Sequence, residues 1–251
     1  MKKGSAILVC VFLAVALTIA ERPLSVFSQD SSGTSPETVL YKPPIRGAPA
    51  SGGRVGAAVR GEGEDNQKLL ALAPDHVGVT SHRQPDLYWY ISKPTSSHIE
   101  FTLNDELRGK TVIRADLPSA KHAGIQAIKL SDFNSELSPG IVYQWFVTVT
   151  VDPAQPSKDI YNGGSIMYQE PSPELHNRLA DQGSNVAVYA EEGLWYDAFA
   201  ATWKSAKPRE AKTLEQQRVS LLRQVGFGAS DPTKPKPVLD GELEMLNSIG
   251  K

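Results

Sequence analysis

One stretch of this chain does most to limit what it can fold into. From Ile141 to Val151 apolar side chains hold every second position: Ile141, Tyr143, Trp145, Val147, Val149 and Val151. Gln144, Phe146, Thr148 and Thr150 alternate with them and form a more polar face. Alternation of that length suits a strand lying on a core and suits no helix, whose apolar positions recur every three or four residues. A shorter segment repeats the pattern, with Leu87, Trp89 and Ile91 on one side and Tyr88 and Tyr90 on the other. Further strands are predicted over Val77–Thr80, Ile99–Leu103, Thr111–Leu117, Ile125–Leu130 and Ile160–Tyr168. Turn signals punctuate them at Lys93-Pro94, Arg108-Gly109, Ser138-Pro139-Gly140 and Asn162-Gly163-Gly164. No helical pattern lies between these seven strands, which predicts an antiparallel β-sandwich over residues 52–170 and excludes a parallel sheet with crossover helices. Its first part, Gly52 to Asp65, is rich in glycine and reads as irregular or as a short edge strand.

Past Glu170 the period changes, so the fold class is α+β, with a small helical unit over residues 171–227. Ser172-Pro173-Glu174 opens a first helix with Ser as N-cap, and Gly183 closes it. A second helix runs from about Ser184 to Glu192 and stops at Gly193. A third is predicted from Trp195 to about Lys207, ended by Pro208, and a fourth from Arg209 to Val225. Two local likenesses accompany these elements. Leu137–Trp145 resembles the turn and tyrosine corner of fibronectin-type and immunoglobulin-like domains, with Tyr143 as the corner tyrosine and Trp89 and Trp145 in the core. The spacing Tyr189-x3-Gly193-x-Trp195-x-Asp197-Ala198 resembles the middle of a tetratricopeptide repeat. One repeat cannot stand alone, so this unit must pack on the sandwich or on a partner.

Both ends of the chain read as segments outside the fold. Residues 1–20 carry Lys2 and Lys3 ahead of an apolar run from Ala6 to Ala20 that closes on Thr18-Ile19-Ala20, the pattern of a secretory signal peptide cleaved before Glu21. Val26-Phe27-Ser28 offers a second cleavage site. The run is shorter than the roughly 20 residues a membrane span needs, so stable insertion after cleavage is not expected. Cys10 is the only cysteine and lies in the leader, which leaves the mature chain without disulfides or thiolate metal ligands. Residues 21–51, rich in Ser, Pro, Gly and Thr, predict a disordered linker, and residues 228–251 a flexible tail. Without the leader 24 basic residues face 28 acidic ones, a net charge of -4 that speaks against a nucleic-acid partner.

Taken together, Gly53-Arg54-Val55-Gly56 with Arg60-Gly61, Leu69–Pro74, Pro85–Ile91, Leu137–Pro153 and Tyr189–Ala198 resemble the cyanobacterial family called domain of unknown function 928. The likeness covers about Gly52 to Phe227. It implies export, a β domain and a helical end, and it supplies no activity. The family pattern places one cysteine shortly after the Arg-Gly pair and another just before the Asp-Pro pair. Here Gly63 or Glu64 and Val151 stand in those neighbourhoods, so this chain lacks any such bridge.

Reactive chemistry finds little purchase. His76, His82, His98, His122 and His176 are far apart in sequence and read as scattered surface histidines, so no cofactor is expected. The loop Glu62, Glu64, Asp65 and Asn66 offers oxygen ligands to Ca²⁺ without the spacing of a calcium loop. Gly163-Gly164-Ser165 is no nucleophile elbow. Asp86 and Glu100 are the carboxylates that would serve a glycan-hydrolysing site.

Two aromatic sets suit binding better. Tyr88 and Tyr90, with Phe146 beside them, would form an outer row able to stack on sugar or protein, unless the helical unit covers them. Trp195, Phe199 and Trp203 recur every fourth residue and form a stripe, either the seam between helices and sandwich or a docking groove. The expected function is therefore a non-catalytic, exported interaction protein, periplasmic or extracellular, that holds another envelope protein. The alternative is a module that binds or hydrolyses envelope glycan.

Overall fold

The long alternation is the spine of the larger sheet. In a computed structural model of the chain, residues 39–44, 54–57, 67–181, 185–204 and 208–227 are described. The predicted signal peptide, the tail and the acidic loop Glu62–Asn66 lie outside them. Strand β8 (Val142–Val149) buries Tyr143, Trp145, Val147 and Val149 and leaves the alternate residues half-buried. It pairs antiparallel with β5 (Ile99–Asp105) on one side and β9 (Ile160–Tyr168) on the other. Outside these lie β6 (Lys110–Leu117), paired with β5, and the short edge strand β1 (Val55–Ala57), paired with β9. The smaller sheet has three strands in the order β2 (Leu69–Ala71), β4 (Asp86–Ile91) and β7 (Gly124–Lys129). The tyrosine corner forms as expected, the Ser138 amide donating to the Tyr143 hydroxyl at 3.2 Å.

Three features depart from the expected sheet. The described residues hold nine strands: the seven expected, the short edge strand that is one of the two readings of Gly52–Asp65, and β2, whose three residues are too short to show alternation. The pairing is not wholly antiparallel, since β3 (Gly78–Thr80) runs parallel to the far end of β9, Gly78 opposite Ile166. A parallel pair needs a long crossover, and here the strands between them supply it. Finally, Asn162-Gly163-Gly164 is no turn but the middle of β9. A Cβ on Gly163 would lie 2.1 Å from the Trp145 carbonyl oxygen, and one on Gly164 would lie 2.4 Å from Ala73 Cβ. The glycines mark close approach of neighbours, the other reason for glycine inside a strand.

Four helices follow: α1 (Pro173–Asp181), α2 (Asn185–Glu191), α3 (Trp195–Ala201) and α4 (Pro208–Gln224). Helix α3 is shorter than predicted, ending at Ala201, and Pro208 opens α4 instead of closing α3. Proline suits a first turn, where its missing N–H has no helical partner to lose. Gly193 (φ 74°) separates α2 from α3. Its N–H donates to Ala190 and that of Leu194 to Tyr189, the paired bonds of a glycine C-cap. Arg178 of α1 braces α2 by pairing with Glu191 at 2.6 Å and with Glu192. None of the helices among the described residues is long and apolar enough to cross a membrane.

One core runs through both sheets and the helices, from Trp145 and Phe101 to Trp195, Phe199 and Leu222. The supposed linker also joins it. Val39 and Tyr41, inside the stretch read as a disordered tether, are buried. The average polarity of residues 21–51 masks a local Val-x-Tyr pair that has an apolar surface to cover.

Candidate functional site

The aromatic residues singled out in the sequence converge on α3. All seven of its residues are buried, so the helix is a plug and not a surface element. Trp195 donates its indole N–H to the Leu72 carbonyl at 3.2 Å and stacks on Phe199 with centroids 5.8 Å apart. Tyr196 reaches the larger sheet, where its hydroxyl accepts from the Trp145 indole at 2.9 Å and donates to the Ser165 carbonyl at 3.0 Å. Burial pushes this phenol far above its ordinary pKa, so it stays a neutral hydrogen-bonding group. A Cβ on Gly78 would sit 2.6 Å from the Tyr196 ring, so β3 admits α3 only because its first residue is glycine.

The tyrosine row is not an open face. Strand β4 is buried from Leu87 to Ile91, both sides included. Tyr88 meets Phe199 edge-on at 5.2 Å and lies parallel to Trp203 at 5.8 Å, so α3 and the turn beyond it cover this row. Phe146 does not join it, because β8 belongs to the other sheet, where its ring neighbour is Tyr161. Sugar stacking on Tyr88 and Tyr90 therefore has no free surface. Only Trp203 of the predicted stripe reaches solvent, at 42% exposure. The Arg218 guanidinium lies 3.4 Å from its ring centroid, bonded also to the Thr202 hydroxyl at 3.1 Å and carbonyl at 2.8 Å. Burial pulls the Arg218 pKa down to about 10, which leaves it charged at neutral pH.

At the other side of α3 is a polar cluster that sequence reasoning missed. Asp197 is buried and accepts from the Thr80 hydroxyl at 2.7 Å, the Ser81 amide at 2.6 Å and His82 Nδ1 at 2.8 Å. The hydrogen bond to Asp197 raises the His82 pKa above that of a free imidazole, with burial acting in the opposite direction. The His82 side chain is half exposed. A carboxylate-held imidazole can move protons, yet the adjacent Ser81 hydroxyl approaches Nδ1 (3.4 Å), the nitrogen Asp197 already occupies. The pair fastens α3 to the end of β3. A lone carboxylate in the apolar run from Leu194 to Ala201 was its one signal in the sequence.

The remaining candidates do not assemble. His98 pairs with Asp116 at 2.9 Å, and His76 Nε2 meets the Tyr41 hydroxyl at 2.9 Å. Among the described residues no three His, Cys, Asp or Glu side chains form a metal-holding group. Asp86 and Glu100 lie in different sheets, and Glu100 is 3.7 Å from Arg114.

Against this geometry the sequence can be compared with known proteins. The profile of the family described as Domain of Unknown Function (DUF928) matches residues 55–234. The chain belongs to that family. The match takes in both sheets and all four helices, but not the buried segment at Val39 and Tyr41. No curated protein matches the chain. Among solved structures it is similar to a DUF3244 family protein with an immunoglobulin-like β-sandwich fold from Bacteroides vulgatus. That likeness covers 45% of this chain and 91% of the other, at 14% identity and a TM-score of 0.25. So distant a likeness leaves the description of the fold to the strands themselves.

Proposed function

We propose that this chain is an exported, non-catalytic interaction protein of the cell envelope. In this reading an immunoglobulin- or fibronectin-like sandwich carries a tetratricopeptide-like helical unit, and the two together present a surface to another envelope protein. The observation that carries the reading is Trp203, 42% exposed with Arg218 laid over its ring. Tryptophan and arginine are enriched, with tyrosine, among the residues that carry the binding energy of protein interfaces, and here the contact with the ring already orders the arginine. Here the pair stands at the surface end of an otherwise buried seam, already ordered before any partner arrives. Export rests on the apolar run behind Lys2 and Lys3.

The test is in-cell crosslinking and affinity capture of the tagged chain, native and Trp203→Ala, with mass spectrometry of what is retained. A near-stoichiometric envelope protein held by the native chain and lost by the variant is the expected result. Equal capture by both, or no reproducible companion for either, would sink the reading.

A further inference from the structure

The segment that joins the core from outside the family match is held in an unusual way. Residues 39–44 have no regular secondary structure, and they cross the α2–α3 turn and the end of α4. Gln224 reads their backbone with both ends of its amide, accepting from Tyr41 N–H at 2.9 Å and donating to the Val39 carbonyl at 2.8 Å. The Lys42 amide donates to the Ala190 carbonyl at 3.0 Å. The side chains alternate as they do in a peptide laid in a groove: Val39 and Tyr41 are buried, whereas Leu40 between them is 58% exposed. Tyr41 fills a polar-ended slot, edge-on to Trp195 at 5.3 Å, stacked on His76, its hydroxyl on His76 Nε2. The floor is cut for a passing backbone, since a Cβ on Gly193 would lie 2.7 Å from the Lys42 carbonyl oxygen. Between the segment and α4 lies an open cavity of about 420 Å³, lined by Val39 and Leu40 on one side and by Gln216, Ser220, Arg223 and Gln224 on the other.

Every residue forming this slot lies within residues 55–234, and every residue filling it lies outside. We propose that the helical unit, together with His76 of the loop before β3, forms a recognition groove for an extended peptide with an aliphatic residue and, two positions on, a tyrosine. Residues 39–44 occupy it in cis as a displaceable stand-in for that partner segment. The proposal rests on the interaction-protein reading and names its mode of recognition. Two carboxamide bonds to the main chain make binding insensitive to the intervening residue, and the two slots choose the pattern. Occupation in cis lowers the fraction of molecules able to take a partner and so weakens apparent affinity in proportion.

The test uses the full chain and a labelled peptide of residues 37–44. The Val39→Ser, Tyr41→Ser double variant should bind this peptide at least about tenfold more tightly than the native chain does. Adding Gln224→Ala, or replacing the peptide's own valine and tyrosine by alanine, should abolish binding. Equal affinity for native and variant chains, or binding indifferent to those replacements, overturns the proposal. Should the variant not fold, hydrogen exchange on the native chain decides. Excess peptide should speed exchange at Tyr41 and Lys42 while leaving β8 unchanged, and no change there overturns the proposal. A native chain that is dimeric and becomes monomeric with the peptide also overturns it, since a second copy's segment would then fill the groove. Any of these failures leaves the Trp203-dependent capture untouched, so the two readings fail separately.

Discussion

Trp195 and Trp203 stand two helical turns apart and meet opposite fates. The first is fully buried, its N–H given to Leu72 and its ring packed on Phe199 and Tyr41. The second lies in the turn after α3, 42% exposed, with Tyr88 parallel to it and Arg218 over its ring. Four-residue spacing puts both on one stripe, yet α3 stops at Ala201 and the stripe runs out of core. The buried end belongs to folding, whereas the exposed end still meets solvent.

Removing the buried end should therefore be the most damaging change. Trp195→Ala empties the middle of the seam and should cost about 3–5 kcal/mol, the usual range for a large aromatic truncated in a core. Urea denaturation followed by circular dichroism checks this, and a loss below about 1 kcal/mol would erase the distinction between the two tryptophans. Tyr196→Phe is a finer cut. It keeps the ring and deletes the hydroxyl that links Trp145 to Ser165, stranding a buried indole N–H. A loss of about 1–3 kcal/mol is expected from the same measurement. A neutral result would mean that a water replaces the hydroxyl.

How much of this was legible beforehand follows from what each residue's partners are. The spine of the fold was readable because β8 alternates over its whole length against a continuous core, and Tyr143 announced its turn through a local bond to Ser138. The stripe at Trp195 and Phe199 was equally plain, being a property of one helix. The burial of Tyr88 was open, because alternation gives the two sides of a strand but not what covers each. The Gly163-Gly164 pair misled, since glycine for a close approach and glycine for a turn look alike in sequence. Asp197 and His82 stand 115 positions apart, and only the docking of α3 on β3 joins them. Val39 and Tyr41 were hidden by a polar neighbourhood that sets the average composition.

The His82–Asp197 pair sharpens the comparison from the polar side, as it fastens α3 independently of the aromatic contacts. Because the hydrogen bond to Asp197 raises the folded-state pKa of His82, its stabilising contribution is fully present below the unfolded imidazole value of about 6.5. That contribution is lost as the pH rises through the higher folded-state value. His82 is half exposed, so solvent screening holds the effect to about 0.5–1 kcal/mol. Urea midpoints measured from about pH 5.5 to about pH 8.5 should fall more steeply for the native chain than for His82→Asn, which keeps a donor but does not titrate. Parallel curves would show that the bond is made equally well by neutral imidazole.

The last test is at the exposed end, and it is the one that shows whether that end is spare. Trp203→Ala removes a ring that is only partly buried, together with the Arg218 cation–π contact, worth about 0.5–1 kcal/mol at exposed sites. Arg218 keeps its bonds to Thr202, so the turn retains its anchor when the ring is gone. The stability measured in urea should fall by about 1–2 kcal/mol, clearly less than for Trp195→Ala. A loss matching that of Trp195→Ala would mean that Trp203 is structural, and the surface end of the seam would no longer be available to a partner. A small loss combined with failed capture would show that the ring is kept for recognition, since the fold scarcely needs it.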